Sequence, residues 1–166
     1  MEYQDDRSVK RWVSIYQNNR ITSFQSLTGR AFAVPDAEGA VRNVQSGSSN
    51  EVLGEALWET LSYSRFITPE TFNPTLIDHR EIDRVFKMRL DQLARDSGFS
   101  STRRIFQSLR FCSVTEALGQ IKFEPTRRIR GNEYQDLRMP PIVVADNVDA
   151  LALGAAVRLA MSKCEA

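Results

Sequence analysis

The side chains best suited to catalysis are few and scattered along the chain. The single histidine, His79, stands between Asp78 and Arg80, and a lone loop histidine needs a hydrogen-bonded partner before it can act as a base. The two cysteines, Cys112 and Cys164, belong to no Cys-x-x-Cys pair, and we expect both to pack as small apolar side chains. An enzyme is therefore not predicted, although catalysis by His79 stays open as a third alternative.

Metal sites and familiar catalytic motifs are also missing from the sequence. A zinc site needs about four ligands of the Cys, His, Asp or Glu kind, and no such cluster occurs. The sequence contains no Gly-x-Ser-x-Gly, no His-Glu-x-x-His and no glycine-rich phosphate loop. We therefore predict neither a metal nor a cofactor.

Arginines occur in two clusters that could hold phosphate groups. Arg103 and Arg104 lie in SGFSSTRRIFQSLRFC, and Arg127, Arg128 and Arg130 lie in TRRIRG. Such clusters are typical of nucleic-acid binding, but most charged side chains are simply solvated. The formal net charge of +1 also argues against a polyanionic partner. A small nucleic-acid-binding protein is therefore the alternative hypothesis and not the preferred one.

An acidic helix face that carries a tryptophan is more suggestive. Glu51, Glu55 and Glu59 repeat every four residues, so a helix would align them in one stripe. Trp58 falls on the same side, and exposed tryptophan is frequent at the energetic centres of protein interfaces. The other interpretation is that a loop covers Trp58, since large aromatic side chains are mostly buried.

Length and composition indicate a globular protein. The 166 residues are 42% apolar and 26% charged, which suits one domain over 1–166 with its own core. The start, MEYQDDRSVK, lacks the basic and apolar regions of a secretion signal, and no apolar stretch is long enough to cross a membrane, so we expect a cytoplasmic location. Charge is uneven, because residues 31–79 hold seven acids against two arginines and residues 80–130 hold twelve basic residues against six acids.

The hydrophobic pattern predicts an α+β fold. Strands are predicted in RWVSIYQ, RAFAVP, FCSVTEA and QIKFEP, and PPIVVA is typical of a central strand that could introduce a parallel pair. Helices are predicted over EVLGEALWETLSYS and EIDRVFKMRLDQLARDSG, after Ser100 or Ser101, and in a last segment ending at Cys164, with caps at Ser48 and Asp146. We expect a mixed, mostly antiparallel sheet of about five or six strands packed with about four helices. No internal repeat is evident.

Four segments resemble a family of bacterial contact-dependent growth inhibition (CDI) immunity proteins. They are LGEALWETLSYSRF, GFSSTRRIFQSLRFCSV, QIKFEPTRRIRG and LGAAVRLAMSKC, and in this order they belong to a match that runs from Trp12 to Cys164. The resemblance implies a small cytoplasmic α/β protein that binds and blocks the C-terminal toxin domain of a large exported adhesin, commonly a nuclease. It implies no catalysis by the immunity protein itself. Contacts vary with each toxin in such families, so the resemblance transfers none of them.

A nuclease partner would be expected to bind the acidic surface of this chain. A nuclease must be basic to hold its phosphate substrate, and an acidic inhibitor would speed the encounter and cover that cleft. We therefore predict toxin contacts on the acidic helix first and in the loop over 66–83 second. The predicted contact residues are Glu51, Glu55, Trp58, Glu59, Glu70, Asp78 and Glu81.

Overall fold

A computed structural model describes residues 9–166, and a nine-stranded sheet runs through it. The strands are β1 (Arg11–Gln17), β2 (Ile21–Gly29), β3 (Ala33–Pro35), β4 (Val41–Gln45), β5 (Arg65–Phe66), β6 (Arg110–Ala117), β7 (Gln120–Arg130), β8 (Glu133–Asp136) and β9 (Ile142–Ala145). The helices are α1 (Asn50–Ser62), α2 (His79–Asp96), α3 (Thr102–Ile105) and α4 (Ala150–Lys163), with short 3-10 turns at Pro69–Thr71 and Pro74–Ile77. The predicted mixed, mostly antiparallel α+β architecture is confirmed.

The strand order β3-β2-β1-β6-β7-β8 reveals an internal repeat, so the expectation of no repeat is wrong. Strand β4 also pairs with β2, and β9 also pairs with β7, in matching places. The segment β1–β4 with α1 and the segment β6–β9 with α4 are therefore two copies of one unit. The copies meet where β1 and β6 pair antiparallel, with Ser14 opposite Ser113. An approximate two-fold axis passes between these two serines.

The two repeated helices lie on the same face of the sheet and cross at equivalent glycines. Shifting the numbering by 100 turns Gly54 into Gly154. Gly54 lies against the backbone of Ala150, and Gly154 lies against the backbone of Asn50. A Cβ atom added at either glycine would lie less than 3.0 Å from those backbone atoms, which is closer than real Cβ contacts. Glycine is needed at both positions because no other residue lets the two backbones approach this closely. The close crossing sets the depth of the core beneath it.

The main hydrophobic core fills the space between the sheet and the α1–α4 pair. Its fully buried side chains include Ile15, Phe24, Leu57, Phe123 and Val157, which come from both repeats. Burying an apolar side chain of this size contributes roughly 1.5–3 kcal/mol. Both copies of the repeat are therefore held together by one shared core.

The stretch between the repeats covers part of the opposite face of the sheet. It carries β5, the 3-10 turns, α2 and α3. Tyr16, Leu93, Ile105 and Leu109 form a second and smaller buried cluster there, which confirms that Ile105 and Leu109 enter the interior. The predicted start of this short helix is also confirmed, because α3 begins directly after Ser101.

Three details differ from the sequence-based expectations. Ser49 caps α1 in place of Ser48, and Asp149 caps α4 in place of Asp146, because each accepts a hydrogen bond from the third residue along. Strand β9 is not central, since within residues 9–166 it pairs with β7 alone, and the pairing is antiparallel. The parallel pair is instead β2 with the two-residue strand β5.

No helix within residues 9–166 combines the length and apolar character needed to cross a membrane. The expectation that the chain lacks a secretion signal concerns MEYQDDRSVK, of which residues 1–8 lie outside the described residues.

Candidate functional site

The predicted acidic stripe lies on the outward face of α1. Glu51 and Glu55 are exposed, and neither has an ionic or hydrogen-bonding partner among the described side chains. Glu59 binds Arg42 of β4, and the hydrogen bond and charge of Arg42 lower the pKa of Glu59. Such an exposed pair contributes little to stability. Two of the three glutamates therefore keep an uncompensated charge for a partner.

Trp58 is neither fully exposed on the acidic face nor fully covered by a loop, which were the two interpretations of the sequence. The side chain is half-buried and packs against the main core, as does Val44 of β4. Part of the ring remains on the acidic face, but truncating it would also remove core contacts. Effects of a Trp58 substitution on binding therefore have to be separated from effects on stability.

The second predicted set lies over 66–83 and is engaged in local interactions. The predicted loop ends at Asp78, because α2 begins at His79. Asp78 caps α2 by accepting a hydrogen bond of 2.8 Å from a backbone N–H in the first turn. Glu81 accepts hydrogen bonds of 2.6 and 2.8 Å from the guanidinium of Arg84, which lower the pKa of Glu81. Glu70 is exposed on a 3-10 turn, where a hydrogen bond with a neighbouring threonine lowers its pKa. These acids belong to a different segment from the α1 stripe.

An apolar groove that was not predicted lies beside this loop. The groove has a volume of about 480 Å³ and is lined by residues 28–34 and 67–77. Phe32 is 65% exposed, Phe72 is 51% exposed and Ile77 is 46% exposed. Large apolar side chains gathered on a surface in this way mark contact sites for other molecules. The sequence signal was a set of apolar residues between prolines, with no helical or strand period.

A buried polar cluster fixes the strand ends that carry the groove. Asp36 is 2% exposed and accepts hydrogen bonds from Thr28 at 2.7 Å and from Arg65 at 2.6 and 2.9 Å. Burial opposes ionisation of Asp36, but these hydrogen bonds and one from a backbone N–H together hold its pKa below the ordinary value. Arg89 of α2 donates to the backbone carbonyls of Ser26 at 2.9 Å and of Asp36 at 2.6 Å, and so ties α2 to the sheet.

The arginine clusters of the alternative hypothesis are partly compensated by acids. Arg103 and Arg104 are exposed on α3. Arg130 binds a glutamate of β8 at 3.0 Å, Arg127 lies 4.0 Å from a glutamate near the C-terminus, and Arg128 is half-buried. These pairs reduce the positive charge available to phosphate groups. Nucleic-acid binding through these residues stays a prediction.

The histidine considered for catalysis lies apart from the two cysteines. Cys112 and Cys164 are free thiols in the main core, where the neighbouring Cys164 thiol, together with burial, raises the pKa of Cys112. His79 is exposed at the start of α2, which packs against the opposite face of the sheet. A nucleophile needs a base within hydrogen-bonding reach, and this arrangement does not supply one to either thiol from His79. The two thiols serve as core side chains.

Comparisons with known proteins agree over nearly the whole chain. The family model described as "CdiI: CDI immunity protein" matches residues 11–164. The immunity protein CdiI-YPIII of Yersinia pseudotuberculosis serotype O:3 (strain YPIII) is 22% identical over 168 residues, which cover 93% of this chain and 95% of that protein.

Two solved structures share the fold. A protein of unknown function, NMB0488 from Neisseria meningitidis, matches with a TM-score of 0.87 and 20% identity over 99% of this chain and 100% of its own. A chain of the CdiA-CT/CdiI toxin and immunity complex from Yersinia pseudotuberculosis matches with a TM-score of 0.88 and 22% identity over 95% of this chain and 99% of its own. At these identities the likeness shows the fold.

Proposed function

Because the chain belongs to the family of CDI immunity proteins, we propose that it neutralises a cognate toxin domain by binding it in the cytoplasm of the cell that makes both. The toxin domain would be the C-terminal part of a large exported adhesin. The family match over residues 11–164 carries this proposal. It is supported by the similar fold of a chain from a toxin and immunity complex.

Inhibition in this proposal comes from covering the toxin and not from a reaction. Two buried ionisable groups, Asp36 and Cys112, have structural partners that account for them. Asp36 joins β2, β3 and β5 through Thr28 and Arg65, and Cys112 packs against Cys164 in the core. A protein that acts by surface complementarity needs a rigid fold of this kind and no reactive side chain.

The acidic charge of residues 31–79 favours a nuclease as the toxin. A nuclease presents basic side chains to its phosphate substrate. Residues 31–79 hold seven acids against two arginines, and they include the whole of α1 with its outward glutamates. Opposite charges on the two proteins would speed association and favour an orientation that covers the basic cleft.

The proposed contacts are the acidic face of α1 and, as a separate second area, the segment over 66–83, whose last residues lie in α2. The residues of the two areas are Glu51, Glu55, Trp58, Glu59, Glu70, Asp78 and Glu81. Glu51 and Glu55 come first in this set, because their exposed carboxylates have no partner among the described residues. Glu59 and Glu81 would have to exchange an arginine of this chain for a basic group of the toxin.

Charge reversal on α1 tests this surface. We expect the double variant Glu51→Lys/Glu55→Lys to keep its melting temperature and to bind the toxin domain with an association rate about tenfold lower at low salt. The difference should shrink as salt rises, because the interaction between exposed charges is screened. The matched control is Asp136→Lys/Asp146→Lys, which changes net charge equally in the second repeat. Equal association rates for both double variants would remove α1 from the contact surface.

A further inference from the structure

The outward face of α4 is apolar, whereas the equivalent face of α1 is acidic. After a shift of the numbering by 100, the acidic stripe of α1 corresponds to an apolar stripe of α4 that consists of Leu151, Ala155 and Leu159. All three residues are exposed, Leu151 to 55% and Leu159 to 49%. The glutamates at the equivalent positions are exposed as well, so the two helices share one pattern of buried and exposed residues here.

The fold does not require apolar side chains at these positions. Arg42 and Ile142 are equivalent, because each stands opposite a fully buried phenylalanine, in β2 and in β7 respectively. Arg42 binds Glu59, and Leu159 takes the place of this glutamate in the second repeat. Charged residues therefore suffice to build the same helix on the same sheet. The exposed leucines of α4 call for an explanation outside folding.

The acidic stripe and the apolar stripe lie side by side on one surface. Helices α1 and α4 pack on the same face of the sheet and touch through their backbones at the two equivalent glycines. Arg158 of α4 donates from Nε to Oδ1 of Asn50 at 2.8 Å and from Nη2 to the carbonyl of Ser48 at 2.6 Å. The N-terminal end of α1, where Glu51 follows, is thereby held against the exposed side of α4. A partner that covers one stripe therefore meets the other.

We propose that the apolar stripe of α4 binds the toxin domain together with the acidic stripe of α1, and that it takes an apolar ridge of the toxin bordered by basic side chains. The inference rests on the proposed function and adds to it an apolar contact on α4. Exposed apolar side chains gathered beside charged ones are typical of surfaces that bind proteins. Burial of the apolar stripe would supply affinity, and the charges at its border would fix the orientation of the partner.

The charged groups of the two helices favour a basic partner over a second copy of this chain. Glu51 and Glu55 have no ionic or hydrogen-bonding partner among the described side chains. The basic residues of α1 and α4 are Arg158, which is hydrogen-bonded to the start of α1, and Lys163 in the last turn of α4. A second copy would therefore offer one uncommitted lysine of this pair of helices for two glutamates. A toxin with a basic row beside its apolar ridge can neutralise both.

Neutral substitutions on α4 test the inference without changing the charge of the protein. The variant is Leu151→Gln/Leu159→Gln, and the probe is the C-terminal toxin domain encoded beside this protein's gene, with both binding rates measured by surface plasmon resonance. We expect the dissociation rate and Kd to rise about tenfold or more, because the apolar contact is lost. The association rate should stay within about twofold, because the charges that steer the encounter are kept.

The matched control is Met88→Gln/Leu118→Gln, which also replaces two exposed apolar side chains with neutral polar ones. Met88 is 45% exposed on α2, which covers the opposite face of the sheet, and Leu118 is 80% exposed in the turn between β6 and β7. Both rates should stay within about twofold of wild type. A control that weakens binding as much as the α4 variant would overturn the inference.

A second variant separates binding from stability. Ala155→Arg removes no large apolar side chain, and the exposed counterpart of Ala155 in the first repeat is the charged Glu55. The melting temperature should therefore be kept. The bulk and positive charge of the new side chain would oppose a basic partner, so Kd should rise about tenfold or more. If the double glutamine variant melts below wild type, Ala155→Arg replaces it in the comparison.

The outcomes distinguish the apolar stripe from the proposed function. A wild-type protein that fails to bind the toxin domain overturns both. Wild-type binding whose Kd survives both the double glutamine variant and Ala155→Arg overturns the apolar stripe alone. Dimers of this chain that the α4 variants dissolve, with toxin binding unchanged, would assign the stripe to a second copy and also overturn it.

Discussion

Replacing Gly154 with alanine should destabilise this protein, although the same change stabilises most helices. Alanine is favoured over glycine in an exposed helix interior by about 1 kcal/mol. At Gly154 the new Cβ would lie 2.8 Å from the Cα of Asn50 and closer still to its carbonyl group. These are backbone atoms of another helix, so no side-chain rotation can relieve the overlap. The two helices must separate instead.

The expected loss follows from the distances at the crossing. Ordinary contacts of a Cβ atom begin at 3.4 Å, so α1 and α4 have to move apart where they are closest. Overpacking costs roughly 1–3 kcal/mol, and the gap opened in the core beneath adds a cavity cost. Against the gain of about 1 kcal/mol from propensity, we expect a net loss of about 3 kcal/mol. For a chain of this length that corresponds to a melting temperature lower by about 6–12 °C.

Urea unfolding and thermal melting followed by circular dichroism measure this loss. Gly47→Ala is the matched control, because a Cβ there meets nothing within 4 Å, and it should change stability by less than about 0.5 kcal/mol. Gly54→Ala should resemble Gly154→Ala, and the double variant should cost less than the sum, because one separation relieves both overlaps. A Gly154→Ala protein that melts at or above the wild-type temperature would refute the close crossing.

Two further predictions concern the buried polar cluster. Asp36→Asn should cost about 2 kcal/mol at pH 7, less than for a fully buried pair because Arg65 is half exposed. The folded pKa of Asp36 lies below 3.8. The contribution of Asp36 to stability is therefore present above that pH and is lost as pH falls through the lowered pKa. Urea titrations should show the unfolding free energies of wild type and variant converging in acid. Arg89→Met should cost about 2–4 kcal/mol and speed amide exchange in α2, because the carbonyls of Ser26 and Asp36 each lose a buried hydrogen bond from the guanidinium. Arg84→Met, which breaks an exposed pair, is its control and should change stability by under about 1 kcal/mol.

The helices could be predicted from sequence, whereas one central strand could not. The apolar spacing of α1 and α2 is that of a helix with one buried face. The sequence of α4 is apolar nearly all round, which indicates burial on more than one side, but Leu151 and Leu159 are 55% and 49% exposed. Strand β2 lacks a clear apolar pattern because its buried positions include Thr22, Ser26 and Thr28. Their hydroxyls are satisfied only in the folded chain, as when Thr28 binds Asp36. Polar residues of this kind look like a loop until their partners are known.

The internal repeat is hidden because its two copies share interior residues and differ outside. Leu53 and Leu153 are both buried at equivalent places. The outward position two residues earlier is Glu51 in one copy and Leu151 in the other. The internal repeat is therefore not visible from the surface residues, and it becomes visible from the pairing of the strands.

The candidate surface was predictable only where its residues are close in sequence. Helical spacing alone places Glu51 and Glu55 on one face. The pairing of Glu59 with Arg42 depends on α1 packing beside β4, and the groove depends on residues 28–34 meeting residues 67–77. These contacts form only in the complete fold, so no local sequence pattern predicts them.

Stoichiometric titration of the cognate toxin domain, followed by the nuclease activity that we propose for it, tests most directly whether this chain works by covering its partner. Purified protein would be added stepwise to a fixed amount of the domain while cleavage of nucleic acid is followed. We predict that activity falls in proportion and vanishes at one equivalent, with a one-to-one complex recovered from the mixture. Full activity at excess inhibitor, or complete loss of activity at a small fraction of an equivalent, would contradict inhibition by occlusion.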